Sequence, residues 1–182
     1  MDELIDVLDS HGKFTGKTEL KSYAHRMGLF HATVHVWFYT SDGKVLLQQR
    51  GKDKKTHPLL WDVSVAGHVG AREGIELSAL REVEEEIGLI ISENDLEKIG
   101  VFKSIQKHSN YLIDCEFHHA FLCELKSPIV NLKKQASEVE ALKLILLTQF
   151  SEEIVSSKSI QKYVPHTPKY YSKIINAVQE KL

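Results

Sequence analysis

Residues Gly67 to Leu89 read GHVGAREGIELSALREVEEEIGL, and no other stretch restricts the fold so tightly. Gly67, Gly70, Glu73 and Gly74 mark a tight turn between a strand and a helix. The helix is expected from about Ile75 to Ile87, stopped by Gly88 just beyond its last turn. Ala79, Leu80, Val83 and Ile87 recur at intervals of three and four and form the stripe that packs, while Glu82, Glu85 and Glu86 share another face. Glu84, Glu85 and Glu86 sit in the last turn, where the helix dipole disfavours each anion by roughly 0.3–1 kcal/mol. Glu82 and Glu86 repel as an i,i+4 pair by roughly 0.2–0.5 kcal/mol. Arg81 reaches Glu85, but one guanidinium does not neutralise four carboxylates. The plain reading is a solvated acidic face; the alternative is a cation seated on it. Carboxylates without cysteine suit hard ions, Mg²⁺ first and Mn²⁺ second.

The full spacing decides between these readings. It runs Gly67, five residues, Glu73, seven residues, Arg81-Glu82-Val83, one residue, Glu85-Glu86, one residue, Gly88-Leu89. Seven of these positions demand one residue type, which puts a chance match on the order of one in ten million. The stretch resembles the Nudix box. The resemblance implies the Nudix fold, an α/β class (α+β) built as an α/β/α sandwich around a mixed β-sheet. It also implies divalent cations on Glu82, Glu85 and Glu86, the backbone carbonyl of Ala66 as a further ligand, and hydrolysis of a diphosphate linkage. Gly67, Glu73, Arg81 and Gly88 are read as structural, tying the loop to the helix and orienting ligands.

With 182 residues the chain suits one domain, 1–182. The acidic start Met1-Asp2-Glu3 and the lack of a long apolar run argue for a cytoplasmic protein outside the membrane. A net charge of −2 gives no electrostatic footprint for duplex nucleic acid. A small-molecule diphosphate is the expected partner, and a homodimer is open because dimers are common among Nudix proteins. Cys115 and Cys123, about 27 Å apart along one strand at roughly 3.4 Å per residue, are expected as separate buried thiols.

Taken in order, Glu3 to Asp9 alternates as a strand, and Lys17 to Arg26 is a helical segment. Leu29 to Thr40 and Val45 to Arg50 flank Asp42-Gly43 as a hairpin. Leu60 to Ala66 is one apolar strand entering the box, with Trp61 in the core. After the box, Leu96 to Gln106 and Tyr111 to Leu125 are strands joined by Lys107 to Asn110. A strand from Leu142 to Leu147, a helix from Thr148 to Ser156 and a helix from Pro168 to Leu182 complete the chain.

Arg50, Lys52, Lys54 and Lys55 crowd the approach to the box. The lysines read as a solvated basic loop, and Arg50 as either that or a phosphate contact, the role the resemblance suggests. Asp114, Glu116 and His118 share one face of their strand, either solvated or turned toward the site. By resemblance a Glu outside the box completes the metal shell or acts as base; Glu138 is the first candidate and Glu140 the second. Glu82 and Glu138 are the two candidate bases.

Beyond the box, ELIDVLD, HATVHVW, LLQQR, LWDVSVAGH and YVPHTPKYYSKII resemble the Nudix branch that contains isopentenyl diphosphate isomerase. That enzyme protonates an alkene, uses a cysteine just before the first box glycine, and holds a metal with histidines and glutamates. His25, His31, His68 and Glu116 stand at or near those metal positions, with Glu116 facing substrate, but the cysteine position is Ala66. For His25 and His31, local hydrogen bonds are the simpler expectation. An alanine carries no proton, and the box is intact, so hydrolysis ranks ahead of isomerisation. A sensor that binds without turnover ranks third, because no box glutamate is lost.

Overall fold

The structure is a computed structural model that describes residues 2–182; Met1, where the expected domain begins, lies outside it. Strands β1 (Leu4–Leu8) and β2 (Phe14–Leu20) form an antiparallel hairpin. Its turn is organised by Asp9, whose Oδ1 accepts from the backbone N–H groups of His11 and Lys13. Here the helix expected over Lys17 to Arg26 is corrected. Lys17 to Leu20 pair with Leu4 to Val7, and helix α1 occupies Lys21–Met27, ended by Gly28 at φ 62. The β-branched Thr15 and Thr18 and a partner strand of matching register outweigh local helix preference.

The main sheet has seven strands among the described residues. Strand β3 (His31–Tyr39) runs parallel to β8 (Leu112–Glu124), which pairs antiparallel with the edge strand β7 (Glu97–Ser109). Strand β4 (Lys44–Arg50) touches β3 only at the Tyr39↔Val45 end, then diverges to pair along its length with β9 (Val139–Leu146). The gap between β3 and β4 explains a second correction, because the single strand expected over Leu60 to Ala66 is two. Strand β5 (Trp61–Asp62) lies on β4 and β6 (Val65–His68) on β3. Ser64 makes the break: its hydroxyl donates to the Leu46 carbonyl on β4 and accepts the Phe38 N–H on β3, at 2.6 and 2.9 Å. A buried hydroxyl thus pairs the ladder groups that the divergence strands.

Strand alternation sorts the side chains into two layers. Val34, Val36 and Phe38 face helix α2 (Ile75–Ile87), packing with Leu46, Val83, Ile87 and Phe121. Trp37, on the other face, joins Val45, Leu47 and Leu122 under helices α3 (Leu147–Val155) and α4 (Pro168–Gln179). Each such side chain contributes roughly 1.5–3 kcal/mol by leaving water. The result is the expected α/β/α sandwich around a mixed sheet. Thr167 caps α4 by accepting the Tyr170 N–H, and Pro168 fills its first turn. Strand β9 begins three residues earlier than expected, which puts Glu140 on an exposed strand position. Cys115 and Cys123 are free and buried. No helix among the described residues is long and apolar enough to cross a membrane.

Candidate functional site

Helix α2 spans the expected residues and ends at Gly88 in the left-handed region, φ 66. Its acidic residues do not share one solvated face. Glu82 and Glu86 are buried, 8% and 4% exposed, while Glu84 and Glu85 are exposed. The helix therefore turns two carboxylates inward against β6. The Glu82 carboxylate lies over Gly67 so closely that a Cβ there would come within 1.9 Å of its Cδ, which is why the turn requires glycine. Glu86 Oε2 accepts the Ala66 N–H at 3.2 Å and the Gln48 side-chain amide at 3.1 Å. Burial, and then the charge of Glu82, pushes the Glu86 carboxyl up to about 8. Burial also raises Glu82, against the pull of Arg81.

Arg81 is the organiser at the rim. It binds both oxygens of Glu73 at 2.9 Å, Glu82 at 2.7 Å, Glu85 at 3.2 Å and the His68 carbonyl at 3.0 Å. Hydrogen bonds from Arg81 hold Glu73 down to about 2, and Glu73 Oε2 in turn accepts the Gly70 N–H. Arg81 and Glu73 thus lock the box turn onto the helix, as the sequence suggested. Among the described residues Arg81 alone of the positive groups reaches Glu82, and none is in hydrogen-bond contact with Glu86, so this donor set fits a hard divalent cation.

A second cluster stands on the opposite face of the sheet. His25 from α1, His31 from β3, His68 from β6 and Glu116 from β8 offer ligand atoms all within 4.8 Å of one another. The local hydrogen bonds expected for His25 and His31 are present on Nδ1, His25 to Asp114 at 2.6 Å and His31 to the Leu29 carbonyl at 2.9 Å, while His25 Nε2 meets His68 Nε2 at 3.1 Å inside the cluster. That leaves the Nε2 atoms for the cluster, and His31 Nε2 is buried without a hydrogen-bond partner. Oriented imidazoles, a carboxylate and an orphaned buried nitrogen are a ligand set that fits a metal ion. Asp114 also accepts from His108 at 2.8 Å. Asp114, Glu116 and His118 therefore face this site rather than open solvent.

The loop from Gly51 to Leu60 spans both clusters. Lys54 is half-buried and ion-paired with Glu138, and its charge acts on both Glu86 and His68, which corrects the solvated reading for this lysine. Lys52 and Lys55 are exposed, as expected. Gly51 N–H donates to the Glu138 carbonyl at 2.7 Å. Arg50 is committed inside the protein, to Asp62 at 3.1 Å and to the Thr56 carbonyl and hydroxyl at 3.1 and 3.2 Å. Asp62 and Gln48 escaped sequence reasoning, since nothing in their local pattern distinguishes them from ordinary strand residues.

Residues 29–165 match the NUDIX domain. The chain belongs to the Nudix family, most of whose enzymes are pyrophosphohydrolases, and it carries the box of Gly67 to Leu89 intact. Nudix hydrolase 3 of Arabidopsis thaliana is 34% identical over 185 residues, covering 99% of this chain and 24% of that protein. The chain thus spans about a quarter of that relative. Isopentenyl-diphosphate Delta-isomerase 2 of Photorhabdus laumondii is 28% identical over 179 residues, 98% of this chain and 93% of that one. A crystal structure from Deinococcus radiodurans superposes with a TM-score of 0.70 at 16% identity, covering 98% of each chain. The resemblance to an isomerase-containing Nudix branch is thereby borne out.

Proposed function

We propose that this chain acts as a single domain to hydrolyse a diphosphate linkage in a small molecule of the type nucleoside diphosphate-X or X-diphosphate. The observation that carries this reading is the pair Glu82 and Glu86, two buried carboxylates whose ionised forms the fold disfavours without a cation. Glu82, Glu85 and Glu86 would hold Mg²⁺ or Mn²⁺ together with the Ala66 carbonyl. When bound there, such an ion would screen the bridging phosphates and lower the pKa of a water.

The chain's own groups then divide the work. Glu82 or Glu138 takes the proton of the attacking water. In the free protein Glu138 is held by Lys54, and a substrate phosphate that draws Lys54 away leaves Glu138 free to act. Arg50 serves the phosphates through the loop it braces at Thr56. Glu116, with His25, His31 and His68, would hold a second ion; three imidazoles suit ions such as Zn²⁺, and the carboxylate also admits Mn²⁺.

The isomerase reading shares this scaffold, but Ala66 offers no proton at the cysteine position. The test is Glu86→Gln, assayed with Mg²⁺ on nucleoside diphosphates, nucleotide sugars, dinucleotides and isopentenyl diphosphate. Phosphate or nucleotide release should fall by about 10²–10³-fold while the fold persists. Wild-type rates in this variant would remove the metal assignment, and isomer formation without release would replace hydrolysis.

A further inference from the structure

The loop that carries Lys54 to Glu138 is fastened at a place that belongs to neither cluster. Its neck is closed by main-chain bonds, Arg50 N–H to the Leu60 carbonyl at 2.9 Å and Leu59 N–H to the Arg50 carbonyl at 3.1 Å. Its tip reaches much farther. The loop leaves β4, yet His57 Nε2 meets Gln106 Oε1 on β7 at 3.0 Å, although β3 and β8 lie between those two strands in the sheet. The His57 ring also stands edge-on to His108, with centroids 5.0 Å apart, and His108 holds Asp114, the partner of His25. The loop therefore bridges the strands that carry His31 and Glu116 and is fastened beyond them.

This fastening works against the backbone. His57 and Leu59 both lie in the left-handed region, at φ 49 and 62, where a side chain is disfavoured and neither residue is glycine. Pro58 between them narrows the backbone choices of His57 further. The Leu59 side chain offers little in return, being 48% exposed. Its carbonyl accepts the Gln49 side-chain amide at 2.9 Å, which is again a bond at the neck. The His57 side chain does the opposite and reaches out to β7. Two such residues around one proline persist only where outside contacts fix the path, and at the tip those contacts are Gln106 and His108.

The geometry points to His57 and Gln106 as positioning residues: their contact holds the loop across the site so that Lys54 meets the substrate's diphosphate, and neither side chain touches the substrate. This rests on the diphosphate reading above, in which a phosphate draws Lys54 from Glu138. With the tie broken the loop relaxes to other paths, and affinity falls in proportion to the fraction of molecules still closed.

The test reads binding of methylenediphosphonate, a diphosphate analogue whose bridge is not hydrolysed, by calorimetry with Mg²⁺; turnover of the substrate panel is measured separately. Gln106→Ala and His57→Ala should each weaken binding by about 10-fold. The double variant should be no worse than either, because both changes remove one contact. Gln106→Glu keeps an oxygen for His57 and should stay within about 3-fold of wild type. Lys54→Met should itself weaken binding about 10-fold, and adding Gln106→Ala to it should cost nothing further, since the pair acts through Lys54. Trypsin should cut after Lys52 and Lys55, both exposed, about 10-fold faster in Gln106→Ala than in wild type. Unchanged affinity in Gln106→Ala would overturn the inference, as would losses that add in the double variant or on top of Lys54→Met. Should His57→Ala fail to fold, Gln106→Ala against Gln106→Glu decides, by affinity and by cleavage rate. No affinity for methylenediphosphonate in the wild-type protein would also overturn the inference, whatever turnover shows. The expected affinity pattern with no phosphate or nucleotide released from any member of the panel would overturn hydrolysis and leave the positioning role standing.

Discussion

The carboxylate cluster and the histidine cluster flank the same strand, β6, yet they are built in opposite ways. Glu82, Glu85 and Glu86 come from two turns of one helix, and the turn that receives them, Gly67 to Gly70, lies 12 to 19 residues earlier in sequence. His25, His31, His68 and Glu116 come from four elements, brought together by the β3–β8 and β3–β6 pairings and by α1, which docks on β8 through His25 and Asp114. One centre is local and depends on a helix; the other is a product of sheet register. Local spacing leaves a motif in the sequence, whereas register leaves none.

Four variants or conditions probe that contrast. The largest expected effect is at Gly67→Ala. The added Cβ falls on the Glu82 carboxylate, so Mg²⁺-dependent turnover should drop by about 10²-fold or more and stability by about 1–3 kcal/mol. Any metal that the histidine cluster binds in the wild-type protein should be retained, as counted by elemental analysis. Loss of metal from both centres would mean that they are one unit.

Next, pH should act on the carboxylate centre through Glu86, whose carboxyl moves from its ordinary 4.5 to about 8 in the fold. Between those values the folded protein keeps a proton that the unfolded chain has lost. Metal-free stability therefore falls as pH rises through this window, by up to a few kcal/mol. Mg²⁺ should raise the unfolding temperature most at the alkaline end; a metal effect that is flat with pH would separate Glu86 from the ion.

Arg81→Lys comes third. A lysine cannot span Glu73, Glu82, Glu85 and the His68 carbonyl as the guanidinium fork does, and activity should fall about 10- to 100-fold. The smallest change is expected at Glu85→Gln. Its carboxylate is exposed and held only at the rim by Arg81, so a roughly ten-fold or smaller loss, read mainly in Mg²⁺ affinity, is expected. A loss as deep as that of Glu86→Gln would make the three box glutamates equivalent and erase the inside-outside distinction seen on α2.

The same contrast explains what the sequence disclosed. Helix α2, its Gly88 stop and the Arg81–Glu73 tie were legible because residues three to eight apart set them. The inward turn of Glu82 and Glu86 was not, since a Glu at a buried helical position looks identical to one on a wet face until β6 is laid beneath it. Lys17 to Leu20 misled because its partner, Leu4 to Val7, belongs to another segment. Lys54 misled because Glu138, its counter-ion, lies far along the chain. Asp114, Glu116 and His118 could be placed on one face by period two, but which way that face looks depends on the neighbouring strands.

The end of α2 has a mechanical consequence. The carbonyls of Glu86 and Ile87, left over where Gly88 stops the helix, accept the N–H groups of Gln135 and Lys133 at 2.9 and 2.8 Å. Glu138 N–H then bonds back to the Gln135 carbonyl at 3.0 Å. The loop that carries Glu138 is thus clipped onto the box helix by main-chain bonds that ignore side-chain identity. One added residue between Gln135 and Glu138 would therefore slide that acid out of step with Glu86.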